Sequence, residues 1–180
     1  MKKYTKIFSL LLLVLMITSC KNEKSLQSYL VESQGKNGFR TLDVPVSFLK
    51  LKNEDVSDQV KETVKSIRKI SVVALPIKGN EAAYETEKAK IKNIFKDNDD
   101  YKSLMTMKAR GMNVSVYYLG DTESIDEVIA FGHSKKMGVG VARLLGDNMN
   151  PANIMEMMNN IKFDGDNMNL DQFSAIFKEK

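Results

Sequence analysis

One side chain stands apart among those able to do chemistry. Cys20 is the only cysteine of the 180 residues. Ahead of it, Lys2, Lys3 and Lys6 carry the only charges. Ile7 and Phe8 lead through Ser9 into an unbroken apolar run over residues 10–17, and Thr18 and Ser19 are small. A basic start, an apolar middle of this length and a small-residue end describe an export signal. The apolar run falls well short of the roughly 20 residues that span a bilayer as a helix, which disfavours a permanent transmembrane anchor.

Ile17-Thr18-Ser19-Cys20 resembles the bacterial lipobox, in which the thiol is acylated and the chain is cut just before it. The competing reading is an ordinary signal peptide with an incidental cysteine, since plain cleavage sites also favour small residues. Acylation of Cys20 leaves a mature chain without a free thiol, excluding disulfide, thiolate and cysteine–metal chemistry. Each buried methylene adds about 0.8 kcal/mol, so two or three acyl chains on Cys20 make attachment lasting. The expected plan is a signal over residues 1–19, the lipidated cysteine and tether over 20–25, a domain over 26–161, and a tail with a short helix over 162–180. Fully extended, residues 21–25 reach about 17 Å, which keeps the domain close to the membrane.

Every other candidate meets a plainer explanation. His133 is the only histidine, and a triad or a zinc site needs it to have several partners. Beside Lys135 and Lys136 it reads as a solvated turn residue. Gly138-Val139-Gly140 invites a nucleotide-loop reading, but Arg143 stands where the dinucleotide fingerprint needs glycine or alanine, and a strand rather than a helix follows. In a regular strand Gly138, Gly140 and Ala142 share one face, which suits close helix packing better than a ligand. Asp97, Asp99 and Asp100, and separately Asp164, Asp166 and Asn167, lack the full calcium-loop pattern and suit turns. Glu123, Asp126 and Glu127 are the acids a hydrolase would use, although acids in a turn before a strand are ordinarily solvated.

Methionine is the remaining signal. Of 11 methionines, Met1 and Met16 leave with the signal and nine stay. Thioethers can hold Cu(I), yet Met105 and Met107 share one strand face, and Met157 and Met158 share a helical stripe. Methionine commonly fills cores and adaptable grooves, so a Met-lined groove for an apolar ligand or partner helix is the better expectation.

The elements that position these residues follow from periodicity. Leu26, Tyr29 and Leu30 have helical spacing, stopped by Gly35 and Gly38. Residues 39–44 read as a strand, and Pro45 opens a helical turn carrying Phe48, Leu49 and Leu51. Val56, Val60, Val64 and Ile67 mark an amphipathic helix whose other side is basic (Lys61, Lys65, Arg68), more often a solvated face than a partner surface. Residues 70–75 form a β-branched interior strand. Residues 81–96 make the clearest helix, with acids first and lysines later, and with Glu85–Lys88 and Glu87–Lys90 pairs. A period of two then runs through 105–109, 114–118, 127–133 and 137–145, favouring an antiparallel meander. Asn150-Pro151 caps a last core helix with Ile154, Met157, Met158 and Ile161 inward. The expected fold is α+β, a largely antiparallel sheet with helices packed on one face.

Loss of three signal lysines reduces 27 basic residues to 24 against 23 acidic, a balance of +1. Near-neutrality gives no reason for a nucleic-acid surface. With the lipobox, the size, Tyr101-Lys102-Ser103-Leu104-Met105 before paired strands, and Leu145-Gly146-Asp147 ending the last, the chain resembles the small Bacteroidota lipoproteins grouped as domain-of-unknown-function family 4252. That family has no assigned activity, so the resemblance supplies no catalytic residue, cofactor or metal. Its members include some encoded beside extracytoplasmic sigma factors, which implies an accessory role in envelope stress. It also implies an outer-membrane lipoprotein on the periplasmic side or, through an acidic export motif that Lys21-Asn22-Glu23 matches in part, the cell surface. Together these readings favour a noncatalytic, lipid-anchored binding module for an envelope protein or small apolar ligand. A stress-signalling accessory and a carboxylate-dependent hydrolase are the alternatives.

Overall fold

The computed structural model describes residues 25–51, 55–96, 98–109, 111–121 and 123–163. Cys20 and the signal expected over residues 1–19 lie outside them, as do Asp97, Asp164, Asp166, Asn167 and the short helix expected in the tail. Ser25 caps the first helix, α1 (Leu26–Ser33), accepting a hydrogen bond from the Ser28 amide at 3.1 Å, and Leu26, Tyr29 and Leu30 are all buried. Gly35 follows in the left-handed region at φ 74. Strand β1 (Arg40–Val44) leads through a 3-10 turn (Val46–Phe48) into β2 (Leu49–Leu51). The expected turn thus stops at Phe48. Leu49 and Leu51 are strand residues because a later segment pairs with them.

Ser57 caps α2 (Asp58–Ser66), which runs without a loop into β3 (Ile67–Pro76). Helix α3 (Glu81–Phe95) follows. Four strands then form the expected meander: β4 (Lys102–Ala109), β5 (Met112–Gly120), β6 (Ile125–Ser134) and β7 (Gly138–Met149). Asn150 Oδ1 accepts from the amides of Ala152 (2.9 Å) and Asn153 (3.4 Å), capping α4 (Pro151–Asn160). Ile161, assigned above to that helix, instead begins β8 (Ile161–Phe163), which pairs antiparallel with β2.

The main sheet has six strands in the order β1-β3-β7-β6-β5-β4, every neighbouring pair antiparallel. Residues paired across strands point to the same side, so the register sorts side chains into two layers. On one side Val73, Val141 and Phe131 meet Leu26, Tyr29 and Leu30 of α1 and Tyr84, Ile91, Ile94 and Phe95 of α3. On the other, Val72, Ala142, Ala130 and Val116 form a row beneath the core that holds Val60 of α2 and Ile154 and Met157 of α4.

The helices therefore cover both faces of the sheet. This corrects the expectation that they pack on one. The physical reason is visible in β3, where Val72, Val73, Ala74 and Leu75 are consecutive and all buried. A strand apolar on both of its sides needs a layer on each.

Candidate functional site

Two buried ionic clusters lie in the α1/α3 layer. Glu127 of β6 is 5 % exposed, and its Oε2 accepts from Arg143 Nη2 of β7 at 2.6 Å. Because Ile129 pairs with Arg143, the two charges are diagonal neighbours on one side of the sheet. Arg143 Nη1 also donates to Gln27 Oε1 near the start of α1. Glu127 Oε1 and Arg143 Nε are buried without a hydrogen-bond partner. Tyr101 lies close by, its hydroxyl pushed up first by burial and then by the Glu127 charge.

The second cluster ties α1 to α3. Glu87 is 4 % exposed, and its Oε1 accepts from Lys90 at 2.8 Å and from Lys36 at 3.0 Å. Burial pushes this carboxyl up, but the hydrogen bonds from Lys90 and Lys36 outweigh it and hold Glu87 below its ordinary value. The Tyr29 hydroxyl is raised by burial and by the Glu87 charge. The expected Glu87–Lys90 pair is present, but as part of a buried clasp rather than a surface pair.

Sequence reading took Glu127 for a solvated acid and Glu87–Lys90 for a local helix pair and passed over their burial, although the signal was there. Glu87 sits on the apolar stripe Tyr84–Ile91–Ile94. Glu127 interrupts the alternation Ile125, Ile129, Phe131, and Arg143 interrupts Val139, Val141. A charge on an apolar period is a buried charge.

The three acids of the hydrolase reading are not brought into one buried site. Glu127 points into the core against Arg143, while Glu123 and Asp126 are exposed. His133 lies within β6 rather than in a turn, half-buried with its ring 5.4 Å from Phe131. Burial, then the Lys88 charge, hold it below its ordinary value. Gly138 and Gly140 do not present an open platform. A Cβ on Gly138 would stand 2.1 Å from the Leu75 carbonyl oxygen, and one on Gly140 would stand 2.8 Å from that of Val73. Their space belongs to the β3 backbone, the close-approach reading of strand glycines.

Of the basic residues expected on one helix side, Lys61 and Lys65 lie on α2, whereas Ile67 and Arg68 already belong to β3, and all three cations are paired. Lys61 meets Asp58 at 3.2 Å, Lys65 meets Glu62 at 2.9 Å, and Arg68 reaches Asp147 at 2.9 Å. Those acids line an open polar groove of about 490 Å³ between α2 and the β7–α4 connection. Each of its three carboxylates thus has a cationic neighbour. Asp99 and Asp100 are exposed in the turn before β4, where Asn98 Oδ1 accepts from the Asp100 amide. Among the described residues no group of three or more His, Cys, Asp or Glu side chains is placed to hold a metal ion.

The methionine expectation leads to a surface. Met105 pairs with Val116 and Met107 with Val114, placing both methionines on the α2/α4 side of the outer hairpin. Met112 joins them, its Cε 3.1 Å from where a Gly132 Cβ would stand. Leu104, Met105, Val114 and Tyr118 are half-buried against the core, and Met107 is 38 % exposed. The opposite side of β4 carries exposed Ser103, Thr106 and Lys108. Strand β4 is thus polar toward one layer and greasy toward the other, while Tyr117 of β5 stacks on Phe95 in the α1/α3 layer, and α2 packs chiefly on β7, β3 and α4. Met157 is buried, Met158 half-buried and Met155 exposed at 41 %, so only part of that helical pair's region is core.

An antiparallel six-stranded sheet enclosed between two helical layers places the chain in the α+β class. Within that class its family can be stated. The model described as Domain of unknown function (DUF4252) matches residues 29–157, from within α1 to within α4, and the chain belongs to that family. No curated protein and no solved structure matches it. Among the described residues no helix is long and apolar enough to cross a membrane.

Proposed function

We propose that the protein is a lipid-anchored, noncatalytic module of the cell envelope that binds an apolar segment of another envelope protein through the α2/α4 side of the β4–β5 hairpin. The observation that carries this reading is the cross-strand patch of Leu104, Met105, Met107, Val114 and Tyr118, left half-buried at the sheet's outer edge. Contiguous exposed apolar surface costs solubility and is kept where something binds, and methionine adapts to differently shaped partners. Lys102 stands over the Tyr118 ring at 5.9 Å, giving one end of the patch a cationic rim. Anchoring rests on Cys20, placed directly after an apolar run and the small residues Thr18 and Ser19.

Two measurements test this. Cys20→Ser should move the protein from the membrane pellet to the buffer-soluble fraction, and an unlipidated product that still sediments would overturn the anchor. A photo-crosslinking side chain at position 107 should capture a discrete protein adduct in intact cells, while the same group at Lys92 on exposed α3 should not. Equal labelling from the two positions, or none from 107, would remove the proposed surface.

A further inference from the structure

We infer that β4 takes its partner as an added strand, an extended segment pairing antiparallel along the outer edge of the sheet, its apolar side chains alternating with acidic ones. The inference rests on the reading of the β4–β5 patch as a contact surface, and it names the form and chemistry of what binds there.

The backbone of β4 is paired on one side only. Strand order places β4 at the end of the sheet, with β5 its only strand neighbour among the described residues. Ala109 and Met112 face each other across the two-residue hairpin link and exchange backbone bonds. Pairs alternate from there, so Met107 bonds to Val114 and Met105 to Val116, while Thr106 and Lys108 turn their backbone groups away from β5. Two N–H donors and two C=O acceptors thus line the outer edge with no backbone partner among the described residues. Such a row is a template for one more strand.

The same alternation sorts the side chains. Met105 and Met107 stand on the greasy side of β4, and exposed Thr106 and Lys108 on the polar one. Against an added strand, Met107 takes a non-hydrogen-bonded position, where facing side chains come closest. An apolar residue opposite Met107 therefore extends the patch of Leu104, Met105 and Val114 by one strand. An acid opposite Lys108 meets an exposed cation.

Charge also chooses the occupant. Strand β4 carries Lys102 and Lys108 and no acid, so a second copy paired along this edge offers neither lysine an opposite charge. Lysines on an edge guard against self-pairing, and the same charges recruit an acidic strand. The other edge of the sheet is blunted instead. Strand β1 is followed by Pro45, and its Asp43 is ion-paired with Lys69 of β3 at 3.4 Å.

The test uses the mature chain carrying Cys20→Ser and a blocked peptide of about seven residues that alternates valine with glutamate. Binding should slow amide hydrogen exchange at Thr106 and Lys108 about tenfold or more, read by NMR. In the proposed register the glutamates lie opposite Thr106 and Lys108. Methylating the glutamate amide nitrogens should therefore abolish binding, whereas methylating those of the valines, which point away from β4, should not. Lys108→Glu should weaken the peptide about fivefold and favour a version with lysine in place of glutamate. No binding at millimolar peptide, unchanged exchange at Thr106 and Lys108 in the complex, or equal loss from the two methylations would overturn strand addition. Protection of those amides without peptide, in a chain that sediments as a dimer, would assign the edge to a second copy and also overturn it. A cellular adduct from position 107 without these signatures leaves the partner surface standing, whereas loss of that adduct removes the surface itself.

Discussion

Arg143→Met should be the most informative single substitution in the core. The side chains of Glu127 and Arg143 are 6 % and 19 % exposed and meet at 2.6 Å, so the pair is largely out of water. Glu127 Oε1 already lacks a partner, and removing the guanidinium would strip Oε2 of its own. A buried carboxylate abandoned in this way costs about 3–5 kcal/mol, and the partial exposure of Arg143 argues for the lower end. The contact to Gln27 goes too, which loosens the start of α1. Urea unfolding of the Cys20→Ser chain measures the effect. At an m-value of about 2 kcal/mol/M, a loss of about 3 kcal/mol lowers the midpoint by about 1.5 M. Replacing both partners by methionine should cost less than Arg143→Met alone, because no buried charge is left behind. A loss under about 1 kcal/mol in Arg143→Met, or a double variant weaker than the single, would refute the view that burial of this pair governs its energetics.

Two further outcomes follow from the same physics. Glu87 is held below its ordinary value, so its contribution is present above the unfolded value of about 4.3 and is lost as pH falls through the folded one. Glu87→Gln should cost about 1–2 kcal/mol at pH 7, discounted because Lys36 and Lys90 are half-exposed, and should flatten the acid limb of stability against pH. An unchanged acid limb would show that the clasp between α1 and α3 is not electrostatic. Gly138→Ala combines φ +117 with a Cβ 2.1 Å from a carbonyl oxygen and should cost about 3 kcal/mol or more by thermal unfolding. Gly35→Ala, at φ +74 with open space around it, should cost about 1 kcal/mol. Equal losses would mean that backbone strain alone, and not the clash with β3, sets the Gly138 penalty.

Much of the fold was legible because its signals are local. The alternation through Met105, Val114 and Val116 reports strands one by one, and the cap at Asn150 is read from its neighbours in sequence. The short links between the last strands made their antiparallel pairing nearly obligatory. What escaped was non-local. That Leu49 and Leu51 are strand rather than turn depends on β8, more than 100 residues later in the chain. That His133 is half-buried depends on Phe131 beside it and on the layer above.

The sequence by itself determined the order of the main helices and strands, and which side of most strands is greasy, because period and composition act over a few residues. Only the tertiary structure decided that helices cover both sides of the sheet, that Glu87, Glu127 and Arg143 are interior charges, and that the Gly138/Gly140 side is filled by backbone. It also decided that the methionines of β4 lie at the outer edge of the sheet, away from the strands on which α2 chiefly packs. Those outcomes depend on which segments become neighbours, and cross-strand register, not spacing along the chain, sets that.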